Sequence, residues 1–540
     1  MAVAALFLAG CGKTLPLWDC ERDADCGSHQ YCSGGFCLDE EEDDDEKNDE
    51  PGPCPEGLTL CDDQCVDIST DMDHCGGCNL ICFSTEGVCE DGYCAPPPPC
   101  PGTEMHCGGV CVDPMNDPQN CGGCGRECGD GEVCEFGECV METIPFCDPG
   151  EAPFGGGDGT SDRPYTICTP DHLRAVDDYL DAHFELADDI DMRGEPFEVL
   201  ADYTGSFGQW EDVFTGHFDG ANFEISELII DSPDENAVGL FGVSDGGEIR
   251  NLSLRDAFIT GDRYVGGLVG INDGTITKVT IDAVVTGSER VGGVAGYSES
   301  TSSIVDASVE GQVYGSDYVG GVVGENLGTV ENCQGESTVD GASEVGGLVG
   351  RNVGVISQSY ADGGVDGSFR VGGLVGENRG EVEQSFATGD VNNSGNSSGG
   401  LVGRVHPNGE VRDSYARGEV SGIYAVGGLV GAVVVSGGFG PGGDQNSGEV
   451  YRSFSTGVVN SQAGGPQQGG EGGLVGLNQA PDPGDNVFDS YWNVDSSGMQ
   501  DSAGGVGLND EQFEEQDNFE GFDFEGLWQM GSDAPILSWE

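Results

Sequence analysis

Val345-Gly346-Gly347-Leu348-Val349-Gly350 is one copy of a hexad that recurs through the C-terminal half of the chain. Further copies begin at Val265, Val291, Val319, Val371, Ser398, Val426 and Glu471, after a degenerate first copy, Val238-Gly239-Leu240-Phe241-Gly242. From Val265 onward the spacings are 26, 28, 26, 26, 27, 28 and 45, and the last interval holds a Gly-rich insertion, Val434 to Gly448. A fixed period of this size marks a repeat architecture. A second signature follows the hexads: Gly354-Val355-Ile356-Ser357-Gln358-Ser359-Tyr360-Ala361 matches Gly380-Glu381-Val382-Glu383-Gln384-Ser385-Phe386-Ala387. Apolar residues alternate with polar ones at period two between glycines, the pattern of short strands and turns. One such rung cannot bury its apolar face alone, whereas a stack of rungs can. The expectation is an all-β fold, a parallel β-solenoid (β-helix) over residues 237–495. Its glycines should supply corners with φ > 0 and let backbones stack closely. Leu348 and Leu374 should point into the core. Cys333 aligns with Ser359, Ser385, Ser414, Ser453 and Ser490, a column of small residues in which a buried thiol packs as a small hydrophobe.

The ends of a solenoid expose unpaired backbone and need covering, so residues 147–236 and 496–540 are expected to be capping segments. Thr169-Pro170 reads as the N-cap and first residue of a helix with Leu173, Val176 and Leu180 on its apolar stripe. Asn509 and Gln512 have capping-box spacing. Together with Asp162-Arg163-Pro164-Tyr165, Phe184 to Asp191, Phe214 to Gly220, Ser490-Tyr491-Trp492, Gly505 to Gln512 and Asp523 to Trp528, the hexads resemble the GLUG-motif repeats of bacterial surface, adhesin-like proteins. The resemblance covers residues 150–540. It implies a β-helical surface module and brings no single activity with it.

The chain has 24 cysteines, of which 22 precede residue 150. Cys20, Cys26, Cys32 and Cys37 form a four-cysteine knot in residues 11–38. Cys54, Cys61, Cys65, Cys75, Cys78, Cys82, Cys89 and Cys94 are separated by 6, 3, 9, 2, 3, 6 and 4 residues. Cys100, Cys107, Cys111, Cys121, Cys124, Cys128, Cys134 and Cys139 are separated by 6, 3, 9, 2, 3, 5 and 4. Residues 54–94 and 100–139 are therefore tandem modules, each too small for a self-supporting core, so cross-links must hold them. Connectivity is not readable from spacing. Paired cysteines two residues apart also suit zinc; an exported chain favours disulfides, and Cys147 with Cys168 is expected to add one more. The shared text, Cys65-Val66-Asp67 with Cys75-Gly76-Gly77-Cys78 and Cys111-Val112-Asp113 with Cys121-Gly122-Gly123-Cys124, resembles the cysteine-rich repeats of myxobacterial-type surface lipoproteins, related to plant stigma-specific proteins.

The apolar run before Leu8-Ala9-Gly10-Cys11 reads as a signal peptide, residues 1–10. The tetrad resembles the bacterial lipobox, which implies acylation of Cys11 and anchoring in the outer membrane, exposed at the cell surface. Asp39 to Glu50 is nearly all acidic, and residues 39–53 read as an acidic disordered linker. With 98 Asp+Glu against 19 Lys+Arg, the net charge is −79, which opposes nucleic-acid binding. No apolar run is long enough to span a membrane as a helix. No His-Glu-x-x-His motif is present, and no Gly-x-Ser-x-Gly elbow stands in a strand–helix context; the seven histidines look scattered, and no catalytic residue, metal ligand or cofactor is assigned. Calcium is the ion that Asp158, Asp162, Asp188, Asp189 and Asp191 would suit. Residues that do not recur between rungs, in the turns before hexads, are the binding candidates: Tyr264, Tyr314, Tyr318, Phe369, Arg370 and Tyr424. The reading is a lipid-anchored, non-catalytic surface protein that binds an extracellular glycan or protein. A β-helical polysaccharide-active enzyme (lyase or hydrolase) and a purely structural envelope protein are the alternatives.

Overall fold

A computed structural model describes residues 30–33, 36–39, 54–55, 57–62, 64–71, 73–81, 88–95, 100, 105–107, 110–129, 132–135, 137–141, 153–202, 204–206, 209–435, 446–462, 470–480 and 482–540. Cys11, Cys20, Cys26, Cys82 and Cys147, residues 40–53 of the acidic linker and residues 436–445 of the insertion lie outside these. The chain divides into two units, Met1–Glu142 and Thr143–Glu540.

In the first unit sulfur replaces the hydrocarbon core. The only buried apolar residues among those described are Cys61, Cys75, Cys121 and Cys134, while Leu60 and Leu80 are exposed. Cys54–Cys65, Cys61–Cys78 and Cys75–Cys89 bridge the first module. Cys100–Cys111, Cys107–Cys124, Cys121–Cys134 and Cys128–Cys139 bridge the second. Cys94 and Cys168 are also disulfide-bonded. The bridges interlock, so each short hairpin (Thr59–Cys61 with Gln64–Val66, for example) is tied to a distant loop. The sulfurs that converge at Cys100 and Cys111 beside His106, and at Cys121, Cys128 and Cys139, are all used in these bridges. Mass spectrometry of the unreduced protein should find no free thiol in residues 54–94 and 100–139, and elemental analysis should find no stoichiometric zinc there.

The second unit is a parallel β-solenoid in which every hexad stacks on the next. Val265, Val291, Val319, Val345, Val371, Ser398, Val426 and Glu471 pair successively as neighbours in parallel strands. Hexad residues Leu268, Val294, Val322, Leu348, Leu374, Leu401, Leu429 and Leu474 are fully buried in one continuous core. Each hexad is a bend between two short arms, for example Ser343–Gly346 and Val349–Asn352. A Cβ on Gly346 would collide with the Val349 and Leu374 carbonyl oxygens, and one on Gly350 with the backbone of Tyr318 and Val319. These glycines are needed for close backbone approach.

They do not provide the corners, as the sequence reading expected of them. Apart from Gly470 before the last hexad, the left-handed positions of the two recurring columns belong to other residues. One column comprises Tyr264, Arg290, Tyr318, Glu344, Arg370, Ser397 and Ala425, with φ between 54° and 63°. A second comprises Asn332, Gln358, Gln384, Asp413, Arg452 and Asp489. Such backbone costs about 1–2 kcal/mol for a non-glycine residue, so the stack must enforce it. At the second column the means is visible. Each following serine hydroxyl accepts the amide of the rung before it and donates to the carbonyl two residues back in its own rung. Cys333 N donates to Ser359 Oγ at 3.0 Å, and Ser359, Ser385, Ser414 and Ser453 continue the chain to Ser490 at 3.1–3.2 Å. Asn326, Asn352 and Asn378 form a second buried ladder, each Nδ2 donating to the next Oδ1 at 2.9 Å.

At the start of the solenoid, Thr169 caps the short helix Pro170–Arg174 and buries Leu173 and Val176. At the other end, the capping box of Asn509 and Gln512 opens Asp510–Phe513. The segment after it does more than close the end. It lies along the flank and covers Phe386, Tyr415 and Phe454 of an aromatic ladder that begins at Tyr360 and whose successive rings stack 4.9–5.0 Å apart. Leu348→Ala should lower stability by about 2–5 kcal/mol, read as a shift in the denaturation midpoint at unchanged slope.

Candidate binding face

The arms flanking each hexad enclose a second, thinner core beside the main one. Its first part is apolar, built from Ala237, Val243, Ile271 and Tyr297 with Tyr264 packed against them. Its last part is again apolar, built from Ala425, Ala432 and Val434. Between these lies a buried ionic seam. Glu325 receives Arg290 at 2.6 Å and Arg351 at 3.1 Å. Glu344 pairs with Arg370, and Glu377 receives Arg379 at 2.7 Å, Arg370 at 3.3 Å and His406 at 3.6 Å. The Arg290 guanidinium lies over the rings of Tyr264, Tyr297 and Tyr318, and Arg351 also covers Tyr318.

Three of the expected contact residues are therefore internal. Tyr264, Tyr318 and Arg370 sit in strand arms at left-handed positions, half-buried within this seam. The sequence reading placed them in exposed turns because their identity varies between rungs. Variation here reflects pairing along the seam: one rung's Arg faces the next rung's Glu. Tyr318→Ala should accordingly destabilise the protein by removing a ring from beneath two guanidinium groups.

Burial pushes the Glu344 carboxyl up to about 7, and the neighbouring Glu377 adds to the shift against the pull of Arg370. Burial acts on Glu377 in the same direction, but Arg379, His406 and Arg370 outweigh it and hold Glu377 below the usual range. Two carboxyls with separated pKa values are the pattern of an acid and base pair. Glu377 is 1% exposed and Glu344 6%, so no substrate reaches them as the fold stands. The folded protein keeps the Glu344 proton to about pH 7, whereas the unfolded chain releases it near its ordinary value of 4.5. Its contribution to stability is therefore present at low pH and is lost as pH rises between those values. Glu344→Gln, which mimics the protonated form, should match wild type near pH 4.5 and exceed it by up to about 3 kcal/mol above pH 7. Paired denaturant titrations across that range measure the difference.

The other three candidates face solvent. Phe369 and Tyr424 are 50% and 43% exposed and belong to one column, with Asn396 in register between them. Tyr314 belongs to another column, three residues earlier in its rung, which runs from Thr260 and Thr286 through Tyr314 to Asp340, Asp366, Asn392 and Ser421. A shallow cavity of about 400 Å³ opens over this polar column and is also lined by Ser368, Ser394 and Gln462. Ser368 Oγ and Ser394 Oγ are 2.9 Å apart. Asn393 turns inward and fixes the bend, accepting the Gly395 amide at 2.8 Å. Among the described residues, the side chains of Asp340, Asp366, Asn392 and Ser421 have no hydrogen-bond or ion-pair partner within the protein. These four were not among the residues expected to make contact. Their signal was the alternation along each rung, which sets them one position before the bend.

The five aspartates considered for calcium do not converge. Asp158 binds Thr160 and Arg163, Asp189 accepts the Glu224 amide, and Asp191 accepts the Arg193 amide. The histidines are less scattered than they look. His183 and His217 stack at 4.3 Å with their planes 5° apart, and Glu248 lies 2.8 Å from His217 Nδ1. Rings stacked face to face aim their nitrogen lone pairs in parallel, which does not form a chelate; burial and the neighbouring His217 lower the His183 pKa.

Residues 98–142 match the stigma-specific STIG1-like protein family, and residues 367–392 match the GLUG motif. The chain thus carries a STIG1-like cysteine-rich region and a GLUG motif, and the motif includes Phe369 and Arg370. A protein of Evansella cellulosilytica, provisionally named a Gly-rich membrane protein, is 39% identical over 188 residues, 32% of this chain and 21% of its own length. Halomucin of Haloquadratum walsbyi is 33% identical over 182 residues, 31% of this chain and 2% of its own length. The chain therefore spans only a small part of either relative. Among solved structures, a Bacteroides ovatus protein provisionally called an immunoglobulin A1 protease aligns over 72% of this chain and 96% of that one, at 20% identity and a TM-score of 0.35. An IgA1 protease aligns over 60% of this chain and 21% of its own, at 17% identity and a TM-score of 0.31. At such scores these two alignments bear on neither fold nor activity.

Proposed function

We propose that this chain is a lipid-anchored binding protein of the bacterial cell surface, held at the outer membrane through Cys11, that engages an extracellular glycan or protein without catalysing a reaction. The observation that carries the reading is the first unit's dependence on sulfur. Seven bridges among the described cysteines stand where a hydrophobic core would be. Such modules persist in oxidising compartments outside the cytosol. The names of the two relatives, a membrane protein and a halomucin, agree with an envelope location. The solenoid contributes a long regular face whose recurring residues are buried and whose variable residues, at Phe369 and Tyr424, are exposed.

Cys11→Ser should move the protein from the membrane fraction to the soluble fraction; unchanged retention would overturn the anchor. The full chain, with and without calcium, should bind saturably on a glycan array or on intact cells and release no soluble sugar. A second reading, a β-helical polysaccharide-active enzyme, draws on the separated pKa values of Glu344 and Glu377. It requires the arms to open, and release of reducing ends that is lost in Glu344→Gln would establish it.

A further inference from the structure

We propose that the shelf over Asp340, Asp366, Asn392 and Ser421, together with the exposed rings of Phe369 and Tyr424, is a binding site for a neutral polysaccharide, an inference that rests on the binding-protein reading. Phe369 and Tyr424 occupy the same column two rungs apart, which at strand spacing is about 9.6 Å. Asn396 lies between them. The rings are half exposed, as is Ile423 beside Tyr424, and no segment of the described chain covers them.

The shelf precedes the rings by three residues in the same rungs, Asp366 before Phe369 and Ser421 before Tyr424, and its chemistry selects the ligand class. Asp340, Asp366 and Asn392 are exposed carboxylates and an amide, Ser421 is a hydroxyl, and none has a partner within the protein. Stacked in parallel register, they present acceptors and donors at regular steps along the rod. A sugar chain offers the complement: C–H faces that pack on aromatic rings, and hydroxyls that both donate to carboxylates and accept from amides. The two charges on the shelf are negative, no Lys or Arg lines the cavity, and the chain as a whole carries −79. An anionic polymer would be repelled. A protein partner is a poorer match, because a stable protein interface needs a contiguous apolar centre. Here the two rings are separated by an amide and flanked by free polar groups.

The test uses the full chain in affinity electrophoresis through gels containing soluble yeast mannan, laminarin, dextran or xylan, with alginate and heparin as anionic counterparts. At least one neutral polymer should retard the protein, and neither anionic one should. Phe369→Ala and Tyr424→Ala should each weaken that binding about tenfold, the scale of one lost ring contact, and Asn392→Ala should weaken it as well. Because all three side chains are exposed, thermal midpoints should stay at the wild-type value, which separates lost contact from lost fold. Retardation by no neutral polymer, or retardation that survives the Phe369→Ala/Tyr424→Ala pair, overturns the site. So does cell binding that resists periodate but not protease and ignores both variants; that result points to a protein ligand elsewhere and leaves the general binding function standing. Binding to neither cells nor polymers removes both.

Discussion

The two arms of each rung meet backbone to backbone at the hexad, and the rest of the solenoid depends on that approach. At Gly346 and Gly350 there is no room for a methyl group, so the bend tightens until Leu348 is driven fully inside. The tight bend also forces the residue before each hexad into left-handed backbone, whatever its identity: Tyr318, Glu344 and Arg370 all adopt it. A residue there cannot turn away into solvent as it would from an ordinary strand. It is held between its own rung and the next, which is why a second core forms outside the first.

That second core shows how the same geometry accepts different chemistry. Its terminal stretches are apolar, with tyrosine rings in the first, and its centre is ionic. Burying a charge is expensive unless it is paired, and the pairing here is shared along the rod, with Glu325 serving arginines from two rungs and Glu377 collecting Arg370, Arg379 and His406. Arg404 stands at the end of this series, its pKa lowered by burial and by Arg370. Arg290, Arg351, Arg370, Arg379 and Arg404 thus gather in one internal strip, while Arg250, Arg255, Arg412 and Arg452 pair with carboxylates elsewhere on the solenoid.

Much of the fold was legible in the sequence because period and register are the same information in a solenoid. The alignment of Cys333 with Ser359 and Ser385 is the alignment of stacked strands. The small modules could be recognised as cross-linked from cysteine count alone, although the pairing of Cys61 with Cys78 could not. The failures have one origin. A one-dimensional reading treats a residue beside glycine as a turn and a non-recurring residue as exposed. Tyr264, Tyr318 and Arg370 break both rules because two arms, adjacent through a bend, cover them from either side. Phe369 and Tyr424 obey the rules because they lie one step further from the bend. The aromatic ladder from Tyr360 to Phe454 is visible as a recurring column, yet the segment that covers it comes from the last thirty or so residues of the chain, and no local pattern announces that contact.

The serine ladder carries a genetic consequence. Each hydroxyl from Ser359 to Ser490 satisfies an amide of the preceding turn and a carbonyl of its own. Every interior turn therefore offers its neighbours the same two sockets. Duplicating or excising one period in the reading frame would restore the hydrogen-bonded chain without any compensating change, much as a crystal adds a lattice plane. Rod length can then drift freely under recombination, by about 4.8 Å per event, while the surface chemistry of each added turn evolves on its own.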